Sequence, residues 1–177
     1  MVGKDPPYKQ EYGMLKKLSL VCVLFLTACG WHFKNNDLFP EELRTLSFES
    51  ADQYSDMSRA LRNEMLLTNI NIVPKAANVA NLRLNATESS SRVASVFKQA
   101  REAEKILSLT VKATVTVPNK GSYPIETSIH RTFFDDSRAA LAKSEERESI
   151  MRQMYEQASR QLLIKIAGLQ KELANTK

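Results

Sequence analysis

The sequence has few of the residues on which enzymes and metal sites are usually built. Its 177 residues include two cysteines, two histidines and five glycines. Neither His32 nor His130 belongs to a set of cysteine, histidine and carboxylate residues with the spacing of a metal site. No G-x-S-x-G, P-loop or H-E-x-x-H motif occurs. The sequence therefore predicts a protein that is not an enzyme and that has no metal or cofactor.

The apolar run Leu18–Ala28 has only 11 residues, whereas a helix that spans a bilayer needs about 20. Lys16 and Lys17 precede the run, and its last two residues, Thr27 and Ala28, are small and stand directly before Cys29 in the stretch LTAC. This layout resembles a bacterial lipoprotein signal, in which the cysteine is lipidated and becomes the first residue of the mature chain. An ordinary cleaved signal peptide and a buried helix are the alternatives.

The start of the chain is unusual for an exported protein, because residues 1–13 do not fit a signal peptide, whereas Met14 opens the more usual MLKK. We expect residues 1–28 to be an upstream extension plus a signal peptide that is removed, residues 29–42 to be a lipidated tether, and residues 43–177 to form one domain. A cysteine with several acyl chains would anchor the protein stably at a membrane. Because Cys22 would leave with the signal and Cys29 would carry lipid, no disulfide could form.

Charge gives weak guidance about partners. The whole chain has 25 basic and 20 acidic residues, and residues 1–28 hold four and two of them, so the mature chain would keep 21 against 18, a net charge of +3. This mild excess neither requires nor excludes a polyanionic partner. Export and the lack of a basic patch interleaved with aromatic residues argue against nucleic acid.

Alternation of apolar and polar residues predicts four strands. Residues 106–117 have the clearest pattern, because their odd-numbered positions are all apolar and share one face. The turn PNKGS follows, where Gly121 suits a positive φ, so residues 106–117 and 123–134 are predicted to form a long antiparallel hairpin. The other two strands are residues 44–50 and 80–88.

Two further segments have weaker patterns. Residues 69–73 are short and alternating, and Pro74 ends them. Residues 89–104 contain several serines and have no clear period. We expect strand or loop there to about Phe97, followed by a turn.

Two segments have the period of a helix. Within residues 51–68, Ser55 is a candidate N-cap, and apolar residues follow at spacings of three and four. The second helix is expected from Ser144 to about Leu173. Two helices that also cover a sheet are most simply arranged on one of its faces. We therefore predict an α+β two-layer sandwich, with two helices packed on one face of a mainly antiparallel four-stranded sheet.

Basic side chains beside apolar ones could form a binding site for an amphiphile. Lysine and arginine neutralise phosphate groups, while neighbouring aliphatic side chains contact the acyl portion. The candidates are Arg92, Lys98, Arg131, Arg138 and Lys143. The alternative for each of them is a charge that is simply solvated.

Several stretches, taken in order, carry a resemblance to a known family. They are LTACGWHF at the lipobox, SRALRNEM in the first helix, ASVFKQAREAE before the hairpin, YPI and HRTFFDD on its return, and ALAKSEE with MRQMYEQASRQL in the last helix. Together they resemble LptE, the outer-membrane lipoprotein family of lipopolysaccharide assembly. The resemblance implies two helices on a four-stranded sheet. It also implies a protein that plugs the LptD β-barrel, assists its assembly and binds lipopolysaccharide.

The resemblance implies roles for particular residues as well. Members of the family bind lipopolysaccharide through a basic residue after ASVF and through the lysine of ALAK, which correspond to Lys98 and Lys143. Lys98 stands where the family is associated with arginine, so it keeps the charge and loses the planar two-pronged contact. Phe97 would face the partner, with an ordinary core residue as the alternative. Gly30 is similar to sorting signals that permit export to the outer membrane.

Two other functions stay open on the residues alone. A free-standing, periplasm-facing lipoprotein could bind or carry an amphiphile without any barrel partner. An enzyme of the cell envelope is the second, although the sequence offers no catalytic residue for it.

Overall fold

The structure is a computed structural model that describes residues 39–97 and 102–175. The expected signal peptide, Cys29, most of the expected tether and Lys98 lie outside the described residues. Short 3₁₀ turns at Glu41–Leu43 and Ser137–Ala139 precede β1 and α2. The regular elements are β1 (Thr45–Ser50), α1 (Asp56–Leu67), β2 (Asn71–Ile72), β3 (Ala80–Phe97), β4 (Glu102–Val117), β5 (Gly121–Asp136), α2 (Ala140–Gly168) and α3 (Gln170–Asn175).

The strands form one mixed sheet in the order β2-β1-β3-β4-β5. β1 is parallel to β2 and to β3, whereas β3, β4 and β5 pair antiparallel. The predicted α+β sandwich is confirmed, but the sheet has five strands instead of four. The additional strand is β2, which pairs with β1 through Thr45 and Leu46. Two residues are too few for alternation to identify a strand.

Both helices cover the same face of the sheet. α1 and α2 pack against each other, and α2 also packs along β5. The odd-numbered residues 107–117 of β4 point to this face and are buried, as their alternation predicts. The helices contribute Met57, Leu61, Met65, Met154, Ala158, Leu162 and Ile166, none of them more than 1% exposed. Within the part of the chain that the structure describes, no helix combines the length and apolarity needed to cross a bilayer.

The two helices differ in how well the sequence marks their starts. Ser55 is the N-cap of α1, and its hydroxyl oxygen accepts from the Ser58 N–H at 3.3 Å, as predicted. Ser144 is not the N-cap of α2, because this helix begins at Ala140 and the Ser144 hydroxyl donates to the Leu141 carbonyl oxygen at 2.7 Å. The exposed first turn of α2 has no apolar stripe that would reveal it.

The turn between β4 and β5 confirms the predicted hairpin. Gly121 has a φ of +111°, a conformation that glycine adopts without strain. Asn119 also has a positive φ, of 62°, as asparagine tolerates better than most residues. The Lys120 N–H donates to the Val117 carbonyl oxygen at 3.1 Å and closes the turn.

β3 is about twice as long as its alternation predicts. It continues to Phe97 and pairs with β4 over this whole length. Residues 87–94 are all exposed, which explains why no apolar period marks them. β1 ends at Ser50, opposite Leu84. Among the described residues, the remainder of β3 has no neighbouring strand on that side.

Candidate functional site

Basic and apolar side chains meet where β3 ends, β4 begins and β5 ends. We call this region the open end, and it consists of residues 93–97, 102–106 and 131–143. The strand register places Val93 beside Lys105 and Lys105 beside Phe133. Opposed residues of antiparallel strands point to the same face, and Phe133 is buried, so this row faces the helix layer. The next row on the same face is Val96, Ala103 and Asp135.

Lys143 lies over this face from the beginning of α2. Its ammonium is 5.6 Å from the centre of the Phe133 ring, a cation–π contact. It also donates to Glu146 Oε2 at 2.8 Å. The Lys143 side chain is only 24% exposed, but an ammonium has three N–H donors, so one carboxylate does not saturate it. Lys143 is therefore held in place and can still bind an anion.

Two other cations of the open end are paired with carboxylates. Lys105 forms an ion pair with Asp135, and both side chains are one third exposed. Arg138 Nε and Nη2 donate to the two carboxylate oxygens of Asp136 at 3.1 and 2.9 Å. These hydrogen bonds, the one from the Arg138 backbone N–H and the charges of Arg138 and Lys143 hold the pKa of Asp136 below its usual 3.8. Asp136 is thus ionised at neutral pH and links β5 to the start of α2.

Exposed aliphatic side chains accompany these cations. Val93, Val96 and Leu141 are 55%, 59% and 77% exposed. Phe134 is 56% exposed and points to the opposite side of β5 from Phe133, because successive side chains of a strand alternate. Lysine and arginine next to exposed aliphatic groups can bind a molecule that carries anionic groups on an apolar body.

The structure brings together only part of the predicted basic set. Lys143 and Arg138 lie at the open end, whereas Lys98 is outside the described residues. Arg131, also at the open end, is in the row next to Phe133 on the same face and donates to Gln157 at 2.6 Å. Arg92 is opposite Ile106 in the register, so it lies on the other face of the sheet. The amphiphile site predicted from sequence therefore divides between two faces.

Phe97, predicted to face a partner, pairs with Glu102 at the end of the β3–β4 hairpin. This position places its backbone at the open end, and its side chain lies outside the described residues.

Lys105 is a member of the open end that is not among the basic residues predicted from sequence. It continues the odd-numbered phase of residues 107–117, which are apolar and buried. A lysine in that phase means that the apolar face gives way to a charged one at this point. This change from apolar residues to a lysine is the feature by which the sequence could have indicated Lys105.

Replacing Asp136 with alanine is expected to lower the melting temperature at neutral pH, because the cap on the turn before α2 and the pair with Arg138 are lost. The folded-state pKa is depressed, so this stabilisation is present above the usual value of 3.8 and disappears as pH falls through the lower folded value. Thermal unfolding measured over this range should show wild type and variant converging in acid. Glu145→Ala, an exposed carboxylate on α2, is the control. A difference that persists unchanged into strong acid would contradict this account.

The fold defines the class of protein: an α+β domain with two helices on one face of a mixed sheet. The likeness to solved structures agrees. The crystal structure of the rare lipoprotein B from Shewanella oneidensis matches with a TM-score of 0.69 and 33% identity, over 74% of this chain and 99% of that one. A minor lipoprotein from Acinetobacter baumannii matches with a TM-score of 0.58 at 14% identity, which shows the fold alone.

Sequence comparison gives the particular family. The family model described as "LptE: Lipopolysaccharide-assembly" matches residues 43–166. The LPS-assembly lipoprotein LptE of Pectobacterium atrosepticum is 34% identical over 148 residues, 82% of this chain and 80% of that protein. The protein of the same name from Yersinia pestis is 34% identical over 155 residues, 86% and 75% of the two chains. The chain belongs to the LptE family.

Proposed function

We propose that this protein is the lipoprotein subunit of the lipopolysaccharide translocon, lipid-anchored through Cys29 on the periplasmic side of the outer membrane. It plugs an LptD-type β-barrel, assists the assembly of that barrel and binds lipopolysaccharide during insertion into the outer leaflet. In this proposal residues 1–28 are removed, residues 29–42 are the tether and residues 43–177 form the domain. The protein acts by binding and has no catalytic step.

The observation that carries the ligand part is the position of Lys143. Its ammonium is held over Phe133, in the same region as the exposed side chains of Val93, Val96 and Leu141. The phosphate groups of lipopolysaccharide can accept hydrogen bonds from an ammonium. The acyl chains of lipopolysaccharide can pack on exposed aliphatic side chains. Lys98 and Phe97, at the end of the same hairpin in sequence, are proposed to extend this site toward the ligand and the partner.

The face of the sheet away from the helices supports the proposal that the protein plugs a β-barrel. Hydroxyl groups pair across the strands there, with Thr110 and Ser128 at 3.0 Å and Thr116 and Ser122 at 2.9 Å. His130 Nδ1 and the Ser108 hydroxyl are 2.9 Å apart on the same face. A face of hydroxyl groups suits the polar interior of a large β-barrel, where apolar side chains would be poorly solvated.

Purification of the affinity-tagged full chain from outer membranes tests the proposal. We expect one large β-barrel protein to be recovered with it in a one-to-one ratio, and its yield to fall when the barrel is depleted. A Cys29→Ala chain, which cannot be lipidated, is the control for anchoring. Recovery of the protein alone, at a yield that does not depend on the barrel, would favour the free-standing amphiphile carrier.

A further inference from the structure

The edge of β3 from Asn85 to Phe97 is long and has no neighbouring strand in the described structure. β1 pairs only with Ala80–Leu84, and β3 continues for 13 residues beyond that point. Proteins commonly blunt such an edge with proline, charged side chains, β-bulges or a short strand. This stretch, NATESSSRVASVF, contains neither proline nor lysine, and its two irregularities leave the segment between them regular. It offers backbone N–H and C=O groups to an additional strand.

The regular part of this edge is self-complementary in charge. Ala86–Val93 lies between two irregularities in the pairing with β4, at Leu84/Ala86 and Val93/Ser95. Its only charged side chains, those of Glu88 and Arg92, are exposed and both point away from the helix layer. They are equally distant from Ser90. An antiparallel copy of this segment, centred on Ser90, therefore places each carboxylate opposite a guanidinium.

We propose that this edge pairs with the same edge of a second copy of the chain, antiparallel about a two-fold axis at Ser90. Glu88 then lies opposite the partner's Arg92, and the symmetry repeats this ion pair. Ser89 lies opposite the partner's Ser91, where two hydroxyl groups can form a hydrogen bond. Glu88 already contacts Lys112 at 3.4 Å, whereas Arg92 makes no ion pair within the described residues, so the second copy would supply its counter-ion.

The two irregularities limit how far the pairing extends. Bulges bend the strand that carries them, so the two β3 strands of the dimer diverge beyond Val93 and before Ala86. The dimer requires this bend to carry the end of β3 away from the partner's β1, which lies beside the partner's β3 up to Ser50. About seven residues of each strand then pair, and so small an interface predicts a weak, concentration-dependent dimer. The inference does not depend on the proposed function.

Charge reversal across the axis gives the sharpest test. Glu88→Arg and Arg92→Glu each turn both symmetric ion pairs into like-charge pairs, and should weaken dimerisation of the full chain about tenfold or more. An equimolar mixture of these two variants restores both ion pairs and should form a heterodimer as tight as the wild-type dimer. Sedimentation velocity in detergent measures the wild type, the two single variants and their mixture. Glu126→Arg, on β5 at the other edge, makes the same charge change as Glu88→Arg and should leave dimerisation unchanged.

Cross-linking tests the position of the axis. A Ser90→Cys chain should be joined to its own kind by a short bismaleimide, whereas Ser128→Cys on β5 and the wild type should not. A chain that stays monomeric at every concentration, or a dimer that the mixed variants do not restore, would overturn the proposal. Protection of the thiol of the Ser90→Cys chain by a barrel protein, with no homodimer in its absence, would assign the edge to that partner and overturn it too.

Discussion

Replacement of Lys143 with aspartate is expected to weaken lipopolysaccharide binding by roughly 30-fold while the domain stays folded. Hydrogen bonds to charged groups contribute about 1.5–3 kcal/mol, and about 2 kcal/mol corresponds to roughly 30-fold in affinity. Folding should survive, because the residue is near the amino end of α2, where a carboxylate interacts favourably with the helix dipole. Titration of the full chain with lipopolysaccharide at one fixed salt concentration measures the change.

Two variants separate the contact from the overall charge. Lys143→Arg keeps a cation over Phe133 and should retain most of the affinity. Lys171→Asp removes the same charge from an exposed position on α3, and its effect should be several-fold smaller. An affinity for lipopolysaccharide that Lys143→Asp leaves at the wild-type value would remove Lys143 from the site. Equal losses of affinity in both aspartate variants would mean that net charge, and not the contact made by Lys143, causes the effect.

The parts of the fold that bury one face were predictable from sequence. In β4, the apolar residues at odd positions 107–117 give a period of two, because one side meets the helices and the other meets solvent. In α1, Met57, Leu61 and Met65 recur every four residues for the same reason. Wherever a single buried face exists, the apolar pattern and the structure agree, since burial itself produces the pattern.

The pattern fails where both faces of an element are exposed. Residues 87–94 of β3 are exposed throughout, so nothing in their polarity distinguishes strand from loop. They form a strand because their backbone pairs with β4. The first turn of α2 has the same difficulty, because Leu141 is 77% exposed. Asp136 caps the 3₁₀ turn that precedes the helix, whereas the helix itself has no side-chain cap that could mark its start.

The open end was only partly predictable for a related reason. The sequence indicates Lys143 as a basic residue beside apolar ones and, by resemblance to the family, as the lysine of ALAK; neither indication carries any geometry. Its contact with Phe133 joins α2 to β5, and sequence spacing cannot show which turn of a helix lies over which strand residue. Arg92 and Arg131 looked equivalent as cations beside apolar residues, yet the register of β3, β4 and β5 puts them on opposite faces.

Truncation of Leu162 to alanine is expected to lower the free energy of unfolding by about 3 kcal/mol, within the usual range for a buried leucine. The Leu162 side chain is completely buried and belongs to the hydrophobic core. The change removes apolar contacts and leaves a cavity that close-packed neighbours fill only in part. Because the described core has no disulfide and depends on such contacts, the midpoint of urea unfolding should fall clearly.

Ile164 provides the matched control, since it is two residues further along α2 and 67% exposed. Ile164→Ala should change the free energy of unfolding by less than about 0.5 kcal/mol, because it removes little buried area and alanine has the higher helix propensity. Equal effects at the two positions would mean that the Leu162 face of α2 does not pack as the structure shows. A large loss at Ile164 alone would mean that a partner or a second copy covers that surface.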